Sequence, residues 1–181
     1  KNLEDPYTLK NENEAYEVQF DFQKNAKRGK IGGYKIALAS KVQQQLCSIN
    51  NPIAGGIFKS EIYQSQEIIK LKNYQSLGLE FEIAFEINQD IFPNTLENED
   101  INIKNYVNNA YACFELIDDR NASYDNLDAL TLIADNAWSS GIILSNPNSK
   151  WKGFDLNELN SKLYWNNILI GEAKLFNSDP L

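Results

Sequence analysis

The stretch Leu79-Glu80-Phe81-Glu82-Ile83-Ala84-Phe85-Glu86-Ile87 places Leu79, Phe81, Ile83, Phe85 and Ile87 on one face and Glu80, Glu82, Ala84 and Glu86 on the other. A period of two marks a β-strand with one buried face. Three carboxylates then share the second face, with neighbours at i and i+2 about 6.5–7 Å apart. Close like charges cost energy unless water or a cation relieves them. From this segment alone two readings are open. One is a solvated outer face, the common fate of a charge run; the other is half of a divalent-metal site, because hard cations such as Mg2+ prefer carboxylate oxygens.

The chain of 181 residues falls within the range of about 100–200 expected for one domain. Its hydrophobic content of 43%, with 12% aromatics, is ample for a core and argues against wholesale disorder. Seventeen basic against 25 acidic residues give a net charge of −8 and a pI near 4.6. That balance argues against nucleic acid or an anionic membrane as the main partner, and no apolar run approaches the roughly 18 residues needed to span a bilayer. Cys47 and Cys113 fit no zinc or redox spacing and read as buried thiols of a reducing compartment, with a single disulfide as the alternative. The sequence contains no His, which removes the usual general base and the commonest transition-metal ligand. It contains no Met either, so the numbering is read as starting inside a longer or processed chain. A cleaved signal peptide and a removed N-terminus explain this equally well.

Working outward from the central strand, Ala15, Val18, Phe22 and Ala26 recur at helical spacing, with Asn11 or Asn13 as N-cap and Gly29 as stop. Residues 32–39 read as a strand with Tyr34, Ile36 and Leu38 on one face. Lys35 is the one long polar group on the other, beside Ala37 and Ala39. A crowded pocket and a lysine snorkelling at a sheet edge are both compatible with that pattern. Ser40 is a plausible N-cap for a short helix ending at Leu46. Asn50-Asn51-Pro52 and Gly55-Gly56 predict an irregular loop, and 57–63 with 67–71 a strand pair joined at Gln64-Ser65-Gln66. An acidic loop is predicted over 88–100, a helix over 101–110, and a short strand over 112–117 with Glu115 in its middle. Residues 133–141 read as turn-rich, leading into a strand at 142–144. Lys162–Trp165 and Ile168–Ile170 flank Asn166-Asn167, which tolerates the positive φ angles of a tight hairpin.

Several of these segments together resemble one family. Gly33-Tyr34-Lys35-Ile36 followed by Ser40-Lys41, the run Leu79-Glu80-Phe81-Glu82-Ile83-Ala84-Phe85, Glu115-Leu116-Ile117-Asp118-Asp119-Arg120, and Ile133-Ala134-Asp135-Asn136-Ala137 with Ser140-Gly141 occur in this order, and Ala15-Tyr16-Glu17-Val18-Gln19 adds a fifth element. They are similar to motifs of the 2-keto-4-pentenoate hydratase family, which includes 2-oxo-enedioate hydratases and 4-oxalocrotonate decarboxylases. The resemblance implies an α+β chain built on a curved mixed β-sheet, a fumarylacetoacetase-like β-roll with flanking helices. It implies Glu80, Glu82 and Glu115 as ligands of Mg2+ or Mn2+, and Lys35 as a catalytic residue beside the metal. The implied partner is a small 2-oxo acid chelated through its carboxylate and 2-oxo oxygens. The implied setting is cytoplasmic, with a homo-oligomer open and a processed or secreted form equally open.

The departures from the family pattern bear on activity. Its glycine and threonine after the lysine are Ala37 and Ala39 here, so a hydroxyl is missing. The aspartate of its loop aligns with Ser60. Glu61 beside it is the carboxylate available for that catalytic role, although a one-residue slip on a strand faces the opposite way. Glu86 has no counterpart and is expected to face water. Family chains also continue beyond the equivalent of Leu181, so 1–181 reads as a single hydratase-like domain lacking the C-terminal part of the family fold. Three functions follow: a metal-dependent hydratase (hydro-lyase) of 2-hydroxy-2,4-dienoates with a related decarboxylase as variant, a degenerate family member acting as a binding protein, and an acidic interaction domain whose carboxylates are merely solvated.

Overall fold

The computed structural model describes residues 8–93 and 101–174, so part of the predicted acidic loop lies outside the described residues. Two compact units are distinguished, 8–80 with 114–143, and 81–93 and 101–113 with 144–174.

In the first unit, helix α1 (Glu12–Asn25) starts where Asn11 accepts a hydrogen bond from the Glu14 amide, and Glu12, Glu14 and Lys24 complement its dipole. The buried stripe differs from the predicted one. Ala15 and Gln19 face the core, whereas Val18 and Phe22 are 44% and 37% exposed. Polar satisfaction overrides the apolar spacing, because the Gln19 amide reaches the carbonyls of Ala54 (2.9 Å) and Ile133 (2.7 Å). Strand β1 (Ile31–Ala37) pairs antiparallel with β2 (Ile53–Phe58), setting Lys35 opposite Gly55 and Tyr34 opposite Gly56. Helix α2 (Lys41–Leu46) begins at the expected Ser40, in a capping box with Gln43.

Gly55 and Gly56 therefore belong to a strand, not to the predicted loop. A Cβ on Gly55 would lie 2.5 Å from the Asn136 carbonyl oxygen, so glycine here answers a close backbone approach. The predicted strand pair also differs. β2 ends at Phe58, a tight turn spans Lys59–Glu61, β3 is only Ile62–Gln64, and 67–71 is not a strand. Ser60 and Glu61 explain the break. The Ser60 hydroxyl donates to Arg28 O (2.7 Å), and the Glu61 carboxylate accepts a two-pronged bond from the Arg28 guanidinium.

A four-stranded sheet runs in the order β3-β6-β5-β4, with β4 at Leu77–Ile87, β5 at Val107–Asp118 and β6 at Ser139–Leu144. The Asn88 amide beyond the end of β4 donates to Tyr106 O just before β5, and Asp118 at the end of β5 accepts from the Gln75 and Ser76 amides just before β4. The two strands thus run antiparallel. The helix predicted over 101–110 is replaced by a short turn (Ile103–Tyr106) and the start of β5; long-range pairing, including an Ala110–Asn148 bridge, outweighs local propensity. The first unit's core joins Ala15, Ile49, Ile53, Leu132, Ile133 and Ala137, with helix α3 (Ala129–Ala134) capped by Asp128. Both cysteines are buried.

In the second unit, Trp151 is buried among Val107, Ala110 and Leu156, with Ile83 and Phe85 against them. Its indole N–H donates to Asn108 O (3.3 Å). Only the middle of β4's apolar face is covered. Leu79, Phe81 and Ile87 are 46%, 40% and 51% exposed, which corrects the expectation of a fully buried face. The hairpin of β7 (Asn160–Trp165) and β8 (Ile168–Lys174) turns at Asn166 and Asn167, with φ of 47° and 65°, as the sequence predicts.

Asp118 fastens the first unit's strands through three amide donors, Gln75, Ser76 and Arg120. Burial pushes its carboxyl up, but those donors and the Arg120 charge outweigh it and hold the group below its ordinary value of 3.8. A depressed folded value contributes stability that is present above about pH 3.8 and lost as pH falls through the folded value. Asp118→Ala is expected to cost about 2–3 kcal/mol in urea denaturation at pH 7, with the difference from wild type shrinking as the pH drops below that window.

Candidate metal centre

Lys35 lies in the middle of β1, where alternation turns it to the inner side and its partner Gly55 has no side chain to oppose it. It is buried, with Nζ 2.8 Å from Glu115 Oε1 and donating to Ala137 O at 3.2 Å. The snorkelling alternative is thereby excluded. The acceptor carbonyl is presented by an unusual turn in which Asn136, Ala137 and Trp138 all have positive φ, 57°, 49° and 57°. Non-glycine residues in this region cost of order 1–3 kcal/mol each and persist only where the surroundings over-determine them.

Asn136 does so here. Its amide exchanges two bonds of 2.8 Å with the backbone of Gly56, as a neighbouring strand would, and its Oδ1 also accepts from Gln23 Nε2 at 2.8 Å. Gln23 Nε2 in turn reaches Gln19 Oε1 at 3.1 Å. Gln19, Gln23 and Asn136 thus form a largely buried polar chain that fixes the carbonyl facing Lys35. None of the three was singled out in the sequence for a role. Gln19 and Gln23 share a helix face at i, i+4, and Asn136 stands inside a motif, so the signal was present but not interpretable without the fold.

Glu115 is almost fully buried on β5. Burial pushes its carboxyl above the ordinary range; the Lys35 ammonium pulls it back, and the Glu80 charge adds a further push upward. The Lys35 contact is a buried ion pair of 2.8 Å to Glu115 Oε1. Glu80 and Glu82, two residues apart on adjacent β4, present their carboxylates from the same side. One oxygen from each of Glu80, Glu82 and Glu115 lies within 4.8 Å of the others. Three carboxylates at that spacing, one of them buried, form a donor set suited to a hard divalent cation. The set is all oxygen, which favours Mg2+ or Mn2+ over thiophilic metals.

Glu61 is not among these carboxylates. It is gripped by Arg28 at 2.6 Å through both oxygens, with the guanidinium 4.6 Å over the Phe58 ring. Tyr74 belongs to the same neighbourhood. Burial first, then Tyr63 and the Glu61 charge, push its phenol up to about 12 against the opposing charge of Arg28. Glu86 is exposed, as expected, but also bonded. Asn109 Nδ2 (2.6 Å) and the Tyr111 hydroxyl (2.9 Å) donate to it and lower its pKa.

The two adjacent strands β4 and β5 thus bring three carboxylates to one point. No family model matches the chain. It is 27% identical over 156 residues to the 2-keto-4-pentenoate hydratase of Paraburkholderia xenovorans (strain LB400) and to 2-keto-4-pentenoate hydratase 3 of Pseudomonas putida, a match covering 85% of this chain and 57% of each relative. Two solved structures of 4-oxalocrotonate decarboxylase from Pseudomonas putida G7 share its fold. The one complexed with magnesium and adipate has a TM-score of 0.74 and the one with calcium and acetate 0.71; both are 20% identical, over 91% of this chain and 62% and 61% of theirs. The chain thus spans a little over half the length of the curated relatives that it matches. These likenesses support the resemblance read from the motifs. Among the described residues no helix is long and apolar enough to cross a membrane.

Breaking a buried pair strands the remaining charge. Lys35→Met is expected to destabilise the metal-free protein by about 3–5 kcal/mol, and Lys35→Met with Glu115→Leu to recover most of that loss. Chemical denaturation of the two variants beside wild type checks it; a single variant as stable as wild type would contradict the pairing.

Proposed function

We propose that the chain carries the metal centre of a hydro-lyase that adds water to a 2-hydroxy-2,4-dienoate or 2-keto-4-pentenoate-type acid. The observation that carries this reading is the convergence of Glu80, Glu82 and buried Glu115, with Lys35 held against Glu115. Glu80, Glu82 and Glu115 would hold Mg2+ or Mn2+, which when bound supplies Lewis-acid stabilisation for negative charge developing on a 2-oxo oxygen. With no His in the sequence, Lys35 Nζ is the protein group that holds a proton beside the centre. Its positive charge also orients the substrate carboxylate, and its contact with Ala137 O fixes its direction. The sheet containing β4 and β5 is read as part of a fumarylacetoacetase-like β-roll, and 1–181 as one hydratase-like domain that works in the cytoplasm, with self-association open.

A decarboxylase acting on a 2-oxo-enedioate uses the same chelation, and the fold shared with 4-oxalocrotonate decarboxylase keeps it as the variant of this reading. A binding role without turnover is favoured by one observation. Ser60 donates its hydroxyl to Arg28 O, and Glu61 is committed to Arg28, so neither stands free as acid or base. Glu61 remains the candidate second catalytic carboxylate, and it would have to leave Arg28 to act.

Mg2+ with oxalate, a non-reacting 2-oxo acid mimic, is expected to raise the melting temperature more than either alone. A ligand at 100 times its Kd adds about 2.7 kcal/mol. Glu82→Gln should remove most of the Mg2+-dependent shift and any hydration of 2-hydroxypenta-2,4-dienoate. No shift in wild type with Mg2+ and oxalate together would overturn the metal reading.

A further inference from the structure

The contacts that hold Lys35 in place reach back to the first helix of the chain. Its Nζ stands between two oxygens, Glu115 Oε1 at 2.8 Å and Ala137 O at 3.2 Å. The first contact is charged and belongs to the centre itself. The second is neutral, so the fold can set its position without altering the charge beside the carboxylates. A lysine carries its ammonium on a flexible four-carbon stem. Where Ala137 O is held therefore decides where the ammonium points.

That carbonyl sits in a turn that does not hold itself, since Asn136, Ala137 and Trp138 keep positive φ without a glycine among them. The Asn136 amide is secured from two sides, by the backbone of Gly56 and by Gln23 Nε2 at 2.8 Å. Gln23 Nε2 also donates to Gln19 Oε1 at 3.1 Å, and Gln19 Nε2 is committed to Ala54 O and Ile133 O. Strand β2 gives up two successive side chains to this arrangement. A Cβ on Gly55 would meet the Asn136 carbonyl oxygen at 2.5 Å, and one on Gly56 would meet Gln23 Nε2 at 2.6 Å. Apolar side chains would dock a helix on a strand with no such demand for partners. The polar side chains and the glycines instead converge on the place of one carbonyl oxygen.

We infer that Gln23, acting through Asn136 and Ala137 O, is a positioning residue for the Lys35 ammonium, and that it governs how tightly the centre takes the carboxylate of an acid but not how tightly it takes the metal. This inference rests on the metal-centre reading and deepens it. Glu80, Glu82 and Glu115 offer the same oxygens to a cation whether or not Ala137 O keeps its place, and Lys35 stays beside Glu115 in either case. What Gln23 adds is the direction of the ammonium. A charge that is present but misdirected loses the advantage of a preset geometry toward an incoming anion.

The test is isothermal titration of the full chain with Mg2+ alone, and then with oxalate in saturating Mg2+, for wild type, Gln23→Met and Tyr16→Phe. Gln23→Met keeps the side-chain length and both Asn136–Gly56 bonds but removes the amide. It is expected to bind Mg2+ within about twofold of wild type and oxalate about five- to tenfold more weakly. Gly56→Ala, which pushes the Gln23 amide aside from the strand, is expected to show the same split and serves if Gln23→Met does not fold. Tyr16→Phe removes the bond of 3.0 Å from the Ala54 amide in the same helix–strand contact. It is expected to leave both affinities within about twofold, which a general loosening of the helix would not. Oxalate affinity that is unchanged in Gln23→Met, falls only in step with Mg2+ affinity, or falls as far in Tyr16→Phe overturns the positioning role while leaving the metal centre standing. If wild type shows no Mg2+-dependent binding of oxalate, the metal reading fails and the positioning role falls with it.

Discussion

The buried contact between Lys35 and Glu115 is the constraint on which the rest of the first unit depends. Neither charge is tolerable there alone. The fold therefore supplies Lys35 with a glycine opposite it on β2 and a carbonyl from the strained 136–138 turn for its ammonium, and it sets Lys35 itself against Glu115. The strained turn in turn requires the Asn136 amide, and that amide is held by Gln23 and by the backbone of Gly56. Helix α1 is rotated to bury Gln19 where apolar spacing alone would bury Val18. A polar requirement at the centre has thus propagated outward into the orientation of a helix.

A carboxylate trio without a cation is electrostatically poor. Glu115 already sits above its ordinary pKa through burial, and Glu80 pushes it further. Lys35 offsets part of this with one positive charge. A divalent cation among the three oxygens would offset the remainder. Three carboxylate ligands would leave room on such a cation for the two oxygens of the 2-oxo acid proposed as substrate.

How much of this was legible in the sequence varies with the kind of signal. The alternation of 79–87, the Ser40 cap and the Asn166-Asn167 turn are local patterns, and they were readable because local geometry determines them. Glu80, Glu82, Glu115 and Lys35 came from ordered motifs, with strand parity accounting for the first two. The failures share a cause. Gly55-Gly56 looked like a loop because the contact that demands glycine at Gly55 comes from the Asn136 carbonyl, far along the chain. Residues 101–110 looked helical because pairing with β4 and the bridge to Asn148 are not local. The strand pair at 57–71 failed because Arg28, far upstream, claims Ser60 and Glu61. Burial of the whole apolar face of β4 was inferred from alternation, which reports a strand but not what covers it.

The central claim is that Glu80, Glu82 and Glu115 share one divalent cation. The most direct measurement is anomalous scattering at the manganese edge from crystals grown with Mn2+ and oxalate. A single strong anomalous peak within about 2.0–2.6 Å of an oxygen from each of the three carboxylates is the predicted result. No peak at the trio, or manganese bound elsewhere while Lys35 and Glu115 keep their direct contact, would contradict it.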